Sequence, residues 1–213
     1  MNSKPNTPSF NKSPVLVLAL SVAHLEKIRS HLKDLCEEDR LLRFGMYASD
    51  QFLDNYLNSF DFDRDVFFGV FDSGLSLIGF SHLAYPPTGG KDSNDAEFGV
   101  SVSESGRGQG IGTALFKRAA IHCRNSNINI LHVHCLSSNQ GMMHIARKAG
   151  MVVEKSHGEA DAYLRITPGS TASMFKEALD GHVAVIDYTI KESFQRTIKL
   201  ALRMYKPRNF FKV

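Results

Sequence analysis

The stretch SESGRGQGIG, Ser103 to Gly112, limits what this chain can fold into more than any other. Glycine stands at every second position, Gly106, Gly108, Gly110 and Gly112. Before it, AEFGVSV (Ala96–Val102) alternates as a strand does; after it, Ala114, Leu115, Ala119 and Cys123 keep helical register to about Asn125. Strand, glycine turn and helix start together present backbone N–H groups and the positive end of a helix dipole to an anion. Gly108, Gly110 and Gly112 have no Cβ to hold a phosphate away. Arg107 adds a charged donor. Two familiar nucleotide loops fail on spacing. A dinucleotide fingerprint needs glycine where Thr113 stands, and no Gly-Lys-Ser/Thr triphosphate loop occurs. A pyrophosphate fits the stretch; a plain glycine-rich turn is the other reading it allows.

The surroundings read as a mixed α/β layer. PVLVLAL (Pro14–Leu20) is a buried strand, its apolar run too short for a secretory signal. Ser21 caps a helix expected from Val22 to about Glu38, and Gly45 breaks the pattern. Ser49 opens a short helix with Phe52, Leu53, Tyr56 and Leu57 on one face. Val66–Phe71 and Leu75–Tyr85 form a hairpin around Asp72, Ser73 and Gly74. Pro86–Asp95 is a loop, and Ile128–Leu136 a strand. Asn139 caps a helix that ends at Gly150, and two closing strands follow. The order is β-α-α-β-β-β-α-β-α-β-β, a sheet with helices on its faces.

Three units are expected: a disordered tail over 1–13, a mixed α/β domain over 14–167, and a helical extension with a basic tail over 168–213. In the extension Phe175, Leu179, Val183, Ile186, Ile190, Phe194, Ile198, Leu202 and Tyr205 recur at a mean step of about 3.75, close to the α-helical 3.6. Such a stripe is expected to pack on its own domain or on a second copy, a homodimer, with a membrane surface as the lesser alternative. Gly181 is expected to split it into two helices. The extension also carries the basic excess, 8 Lys+Arg against 4 Asp+Glu, read as a solvated surface. The cysteines, Cys36, Cys123 and Cys135, are odd in number, which fits reduced thiols in the cytoplasm. No apolar run is long enough to span a bilayer. HVHC (His132–Cys135) lacks the compact four-ligand spacing of a zinc site, so no metal is expected.

With these elements in hand, Arg107-Gly108-Gln109-Gly110-Ile111-Gly112 resembles the R/Q-x-x-G-x-G/A signature of the GCN5-related N-acetyltransferases, the GNAT family. AEFGVSV looks like that family's fourth strand. The segment from Asn139 to Lys148, Ala149, Gly150 and Met151 is similar to its later N-x-x-A…G-F stretch. The likeness spans about Val15–Ile166 and implies a GNAT-like α/β (α+β) fold, with the C-terminal helices outside it. It further implies that acetyl-CoA (coenzyme A) is the cofactor: backbone groups of Val100, Ser101 and Val102 bond the pantetheine arm, Arg107, Gly108, Gln109, Gly110, Ile111 and Gly112 hold the diphosphate, and Asn139 helps hold the pantetheine. The partner implied is an amine-bearing acceptor, small molecule or protein, with neither nucleic acid nor membrane.

Direct acetyl transfer needs a base for the ammonium proton, a donor for the developing oxyanion and a proton for the departing thiolate. Glu97, on the cofactor strand, is the base candidate through water, with His82 as a weaker alternative and the N–H near Val102 as the oxyanion donor. Family members often carry a tyrosine seven residues after the asparagine; here that position is Ala146. Ser138, His144 and Tyr163 are replacements without a decisive spacing. Ala146 also leaves open a coenzyme-binding module with little turnover. The run EEDRLLRF (Glu37–Phe44) reads as a salt-bridged surface first and as an acceptor-pocket wall second.

Overall fold

The computed structural model describes residues 14–86, 94–167 and 171–204. The expected tail over 1–13, most of the Pro86–Asp95 loop and the basic end from Tyr205 onward lie outside the described residues. The elements are β1 (Leu18–Leu20), α1 (Leu25–Lys33), α2 (Glu37–Phe44), α3 (Asp50–Asn58), β2 (Val66–Phe71), β3 (Leu77–Ala84), β4 (Asp95–Val102), α4 (Ile111–Asn125), β5 (Ile130–Leu136), α5 (Gln140–Ala149), β6 (Val152–Ser156), β7 (Glu159–Arg165) and α6 (Thr171–Met204). The strands form one seven-stranded sheet in the order β1-β2-β3-β4-β5-β7-β6. Every neighbouring pair is antiparallel except β4 with β5.

Alternation along the strands builds two cores. On one face Phe98, Leu131 and Val133 meet Leu115 and Phe116 of α4 and Ala146 of α5. On the other, Phe67 and Phe80 meet Ile28 and Leu32 of α1 and Leu53 of α3. Each such fully buried side chain contributes about 1.5–3 kcal/mol of transfer free energy. Gly79 of β3 lets α4 approach: a Cβ there would lie 2.3 Å from Ile111 Cγ2. The helix that follows the glycine turn therefore starts directly on the strand.

Local caps form where the residues allow them. Ser49 Oγ accepts from Phe52 N–H, and Asn139 Oδ1 from Met142 N–H. Gly45 and Gly150 end α2 and α5 in the left-handed conformation.

Two expectations change. The helix expected from Val22 to Glu38 is interrupted at Asp34–Cys36, and α2 starts anew with Glu37, Glu38 and Asp39 at its positive end. Arg40 explains the break, since its guanidinium donates to the carbonyls of Lys33 (2.6 Å) and Leu35 (3.1 Å) that end α1. The C-terminal segment is one unbroken helix, not two. Gly181 faces Arg118 at an ordinary 3.6 Å from its would-be Cβ.

α6 docks through a face other than its apolar stripe. Glu177 binds Arg118 (2.7 Å) and His122 (3.2 Å), with Asn125 beside them. Burial pushes the Glu177 carboxyl up, but bonds from His122 and Asn125 and the Arg118 charge outweigh it and hold the group at about 2. Ala184 is buried, and Tyr188 packs on Phe71 with ring centroids 4.8 Å apart. The stripe itself faces solvent: Ile190 is 64% and Phe194 66% exposed. No helix among the described residues is long and apolar enough to cross a membrane.

Candidate active site

The parallel seam of the sheet is short. β4 pairs with β3 from Glu97 to Val102, but with β5 only at Asp95↔Ile130, Ala96↔Leu131 and Glu97↔His132. Beyond Glu97 the strands part, and among the described residues Gly99–Val102 have no strand partner on that side. Backbone polar groups in such a gap need partners from elsewhere. The gap opens into a cleft of about 730 Å³, within the size range of small-molecule sites.

The glycine turn stands at the mouth. Gly108 and Gly110 have φ of +70° and +82°, and a Cβ at either would meet nothing within 4 Å. Glycine is needed there for the backbone angle, and the space beside it is open. The other two glycines do different work. Gly106 is buried, with Ile78 O and Val102 Cγ1 each 3.0 Å from its would-be Cβ, and Gly112 lies against Ile145. The α4 hydrogen-bond ladder begins with Ala114 N–H donating to Gly110 O, so the amides of Ile111, Gly112 and Thr113 have no acceptor within their helix. The donor set suits a diphosphate.

Of the residues singled out from sequence, Glu97, Val100, Ser101, Val102, Arg107, Gly112 and Asn139 all line the cleft. Gly108, Gln109, Gly110 and Ile111 lie between Arg107 and Gly112 but do not line the cleft themselves. The Gln109 amide donates to Ser105 O, and the Ile111 side chain is buried in the α4 core. Ser101 Oγ pairs with His31 Nε2 at 2.9 Å, while His31 Nδ1 donates to Leu77 O at 2.8 Å. Burial holds His31 neutral, its pKa down at about 4.

α2 lies across the mouth and engages two of these residues and the neighbouring Gly99. Asp39 binds Arg107; the Leu42 carbonyl accepts from Asn139 Nδ2 at 3.2 Å; Arg43 lies on the backbone of Gly99, where a Cβ would meet its guanidinium at 2.2–2.5 Å. EEDRLLRF is thus a cleft wall, not the ladder of surface ion pairs expected first.

The face of the sheet below α2 and α3 holds a hydrogen-bonded chain that sequence reasoning did not assemble. Asp65 accepts from Arg64 Nε (2.8 Å) and Tyr85 N–H (3.2 Å), and contacts His82 Nε2 at 3.2 Å. His82 Nδ1 meets the Tyr56 hydroxyl at 2.8 Å, and Arg43 donates to that hydroxyl at 3.0 Å. Burial would raise the Asp65 carboxyl, but Arg64, the Tyr85 amide and His82 bring it below the usual value. Burial, reinforced by Arg43, takes His82 down to about 4. The neutral His82 then donates from Nε2 to Asp65, leaving Nδ1 to accept from Tyr56. Tyr56 is raised, chiefly by burial, with the charges of Glu97 and Asp65 adding to it and Arg43 opposing. Its side chain reaches the cleft beside Glu97.

Sequence spacing alone marked Tyr56 as one residue of an apolar helix face. Its partners stand 26 residues away on β3 and 13 away on α2, so no local signal joins them. Ala146 is fully buried in the core beneath α5 and faces away from the cleft. Ser138 lines the cleft; His144 is exposed outside it, and Tyr163 sits on β7 beyond His132. The HVHC histidines bind carboxylates, His132 with Asp95 (3.4 Å) and His134 with Asp161 (2.7 Å). Among the described residues no cluster of three or more His, Cys, Asp or Glu is arranged for a metal.

The fold has counterparts among solved structures. The GNAT domain of S. lividans PAT superposes with a TM-score of 0.62 at 18% identity, covering 70% of this chain and 89% of that one. A phosphinothricin acetyltransferase from Sinorhizobium meliloti, solved with AcCoA, gives 0.58 at 15% identity, with 74% and 91% covered. Spermidine N-acetyltransferase from Vibrio cholerae, solved with CoA and spermine, gives 0.54 at 20% identity, with 70% and 94% covered. No curated protein matches the sequence. The profile described as "Acetyltransferase (GNAT) family" matches residues 31–151, more than half of the chain. The chain belongs to the GNAT acetyltransferase family.

Proposed function

We propose that this protein transfers an acetyl group from acetyl-CoA directly to an amine. The observation that carries the reading is the parted β4–β5 pair with a left-handed glycine turn and a free helix N-terminus at its mouth. Arg107 and the first amides of α4 would hold the diphosphate; the free edge of Gly99–Val102 and Asn139 would hold the pantetheine arm. When bound, the coenzyme would supply an activated acetyl thioester.

The remaining steps belong to the chain's own residues. Glu97 stands at the last paired position, exposed to the cleft, and takes the ammonium proton through a water. The amide near Val102 offers a donor to the carbonyl oxygen as it gains charge. Tyr56, kept protonated by burial and held at its oxygen by Arg43, would turn its hydroxyl proton from His82 Nδ1 toward the cleft and give it to the departing sulfur. One proton removed at Glu97 balances one given at Tyr56. The reading of a coenzyme-binding module without turnover drew on Ala146; Tyr56 offers the cleft a hydroxyl that position lacks.

Isothermal titration with acetyl-CoA, followed by an acetyl-transfer screen over amino acids, polyamines, aminoglycosides and peptides, tests the reading. Saturable coenzyme binding and at least one acetylated amine are expected. Gly110→Val, strained at φ of +82°, is expected to lose coenzyme binding with the far-ultraviolet spectrum unchanged. A coenzyme that binds neither protein would sink the proposal.

A further inference from the structure

α6 carries an apolar stripe that the rest of the described chain leaves uncovered. Leu179, Val183, Ile186, Ile190 and Phe194 are 50–66% exposed, and Ile198 37%. They lie on the side of the helix turned away from Glu177, Ala184 and Tyr188, which dock it. Six large apolar side chains in one continuous row exceed the scattered exposed residues normal for a monomer. From Leu179 to Ile198 the row runs about 28 Å at 1.5 Å per residue.

We infer that this stripe is a self-association surface, on which the same stripe of a second copy packs about a two-fold axis. Three observations select this occupant. The first is area: the six side chains offer roughly 650 Å², so two copies would bury about 1,300 Å², within the range of specific interfaces. The second is geometry. Ile186, Ile190, Phe194 and Ile198 form one i+4 ridge, and identical ridges interlock at an interaxial angle of about −50°. A two-fold axis brings such a ridge against itself. The third is charge. Over the span of the stripe itself, Leu179 to Ile198, the helix carries Asp180, Asp187 and Glu192 against Lys191 and Arg196, and the basic excess of the extension lies beyond the stripe, at Lys176 and from Lys199 onward. Lys191 and Arg196 are already paired, with Asp187 (2.7 Å) and Glu192 (2.9 Å). An interfacial membrane helix instead gathers basic residues beside its apolar face, so an anionic bilayer suits this stripe poorly.

The test uses the full chain at micromolar concentration in analytical ultracentrifugation, beside Ile190→Asp and Phe194→Asp. The wild type is expected at twice 23.7 kDa. Each substitution is expected to weaken association at least 100-fold while helicity and thermal midpoint at low concentration stay unchanged, because both side chains face solvent in one copy. A wild-type chain that stays monomeric at about 100 μM, or variants that associate as tightly as wild type, would overturn the inference. So would a monomer that floats with phosphatidylserine vesicles but loses them on Ile190→Asp, which would assign the stripe to a lipid surface.

Discussion

Replacing Asp39 by Asn should tighten coenzyme binding. In the structure Asp39 binds the guanidinium that would face the diphosphate, and that ion pair must part when the phosphate arrives. The Arg107 side chain is 52% exposed and that of Asp39 17%, so the pair is closer to a surface bridge than to a buried one. Such a bridge is worth up to about 1 kcal/mol. Once displaced, the Asp39 carboxylate also stays near an incoming anion, a repulsion of a few tenths of a kcal/mol at this exposure. Asn removes both at nearly constant size. The gain is about 1 kcal/mol, roughly a fivefold lower Kd for coenzyme A. Titration calorimetry on wild type, Asp39→Asn and Arg107→Ala measures it, and the gain should shrink at high salt. Arg107→Ala should bind more weakly than wild type. An Asp39→Asn protein with unchanged or weaker affinity would refute the account, because α2 would then not be competing for Arg107.

Other perturbations follow from the same geometry. Tyr56→Phe should lower kcat at least tenfold with little change in KM, a general acid contributing about 10²–10⁴-fold; steady-state kinetics against the best amine of the screen decides, and full activity would remove Tyr56 from the mechanism. His31 and His82 are both neutral in the fold, with pKa values lowered to about 4, so the unfolded chain binds more protons below pH 6.5. Their stabilisation is complete above the unfolded value and declines as pH falls toward 4. At about pH 5 the loss should approach 2 kcal/mol for each histidine, and urea unfolding that gives equal stability at about pH 7.5 and pH 5 would contradict it. Gly181→Ala should stabilise the protein by about 0.5–1 kcal/mol, because the added methyl meets only Arg118 at 3.6 Å; a lowered melting temperature would show that the helix needs glycine there.

What could be read from the sequence was whatever is encoded locally. Ser49 and Asn139 cap the helices they open, and Gly45 and Gly150 end theirs, because each bond spans a few residues. The strand–turn–helix at Ser103–Gly112 was legible for the same reason. The break between α1 and α2 was not, because Arg40 satisfies the freed carbonyls from beyond the break. Its trace in the sequence is the acidic triplet Glu37, Glu38 and Asp39, a helix-start signal embedded in an otherwise continuous pattern. The sequence grouped Gly108, Gly110 and Gly112 as one phosphate seat, though Gly112 packs on Ile145. Packing separates it and Gly106, which yields space to a strand, from Gly108 and Gly110, which supply a backbone angle. The Asp65–His82–Tyr56–Arg43 chain was invisible because α2, α3, β3 and the loop before β2 each bring one side chain to it.

The three-rung seam between β4 and β5 has a mechanical consequence. Four strands and three join there through Asp95, Ala96 and Glu97 alone on one side and Ile130, Leu131 and His132 on the other. The sheet is therefore two leaves on a narrow spine. Anything that bonds both free edges of the gap acts as a stitch, adding rungs the sequence leaves out. Amide exchange along the gap edges, Gly99–Val102 of β4 and Val133–Leu136 of β5, should then slow when coenzyme A is present, while β2, which does not border the gap, should change little.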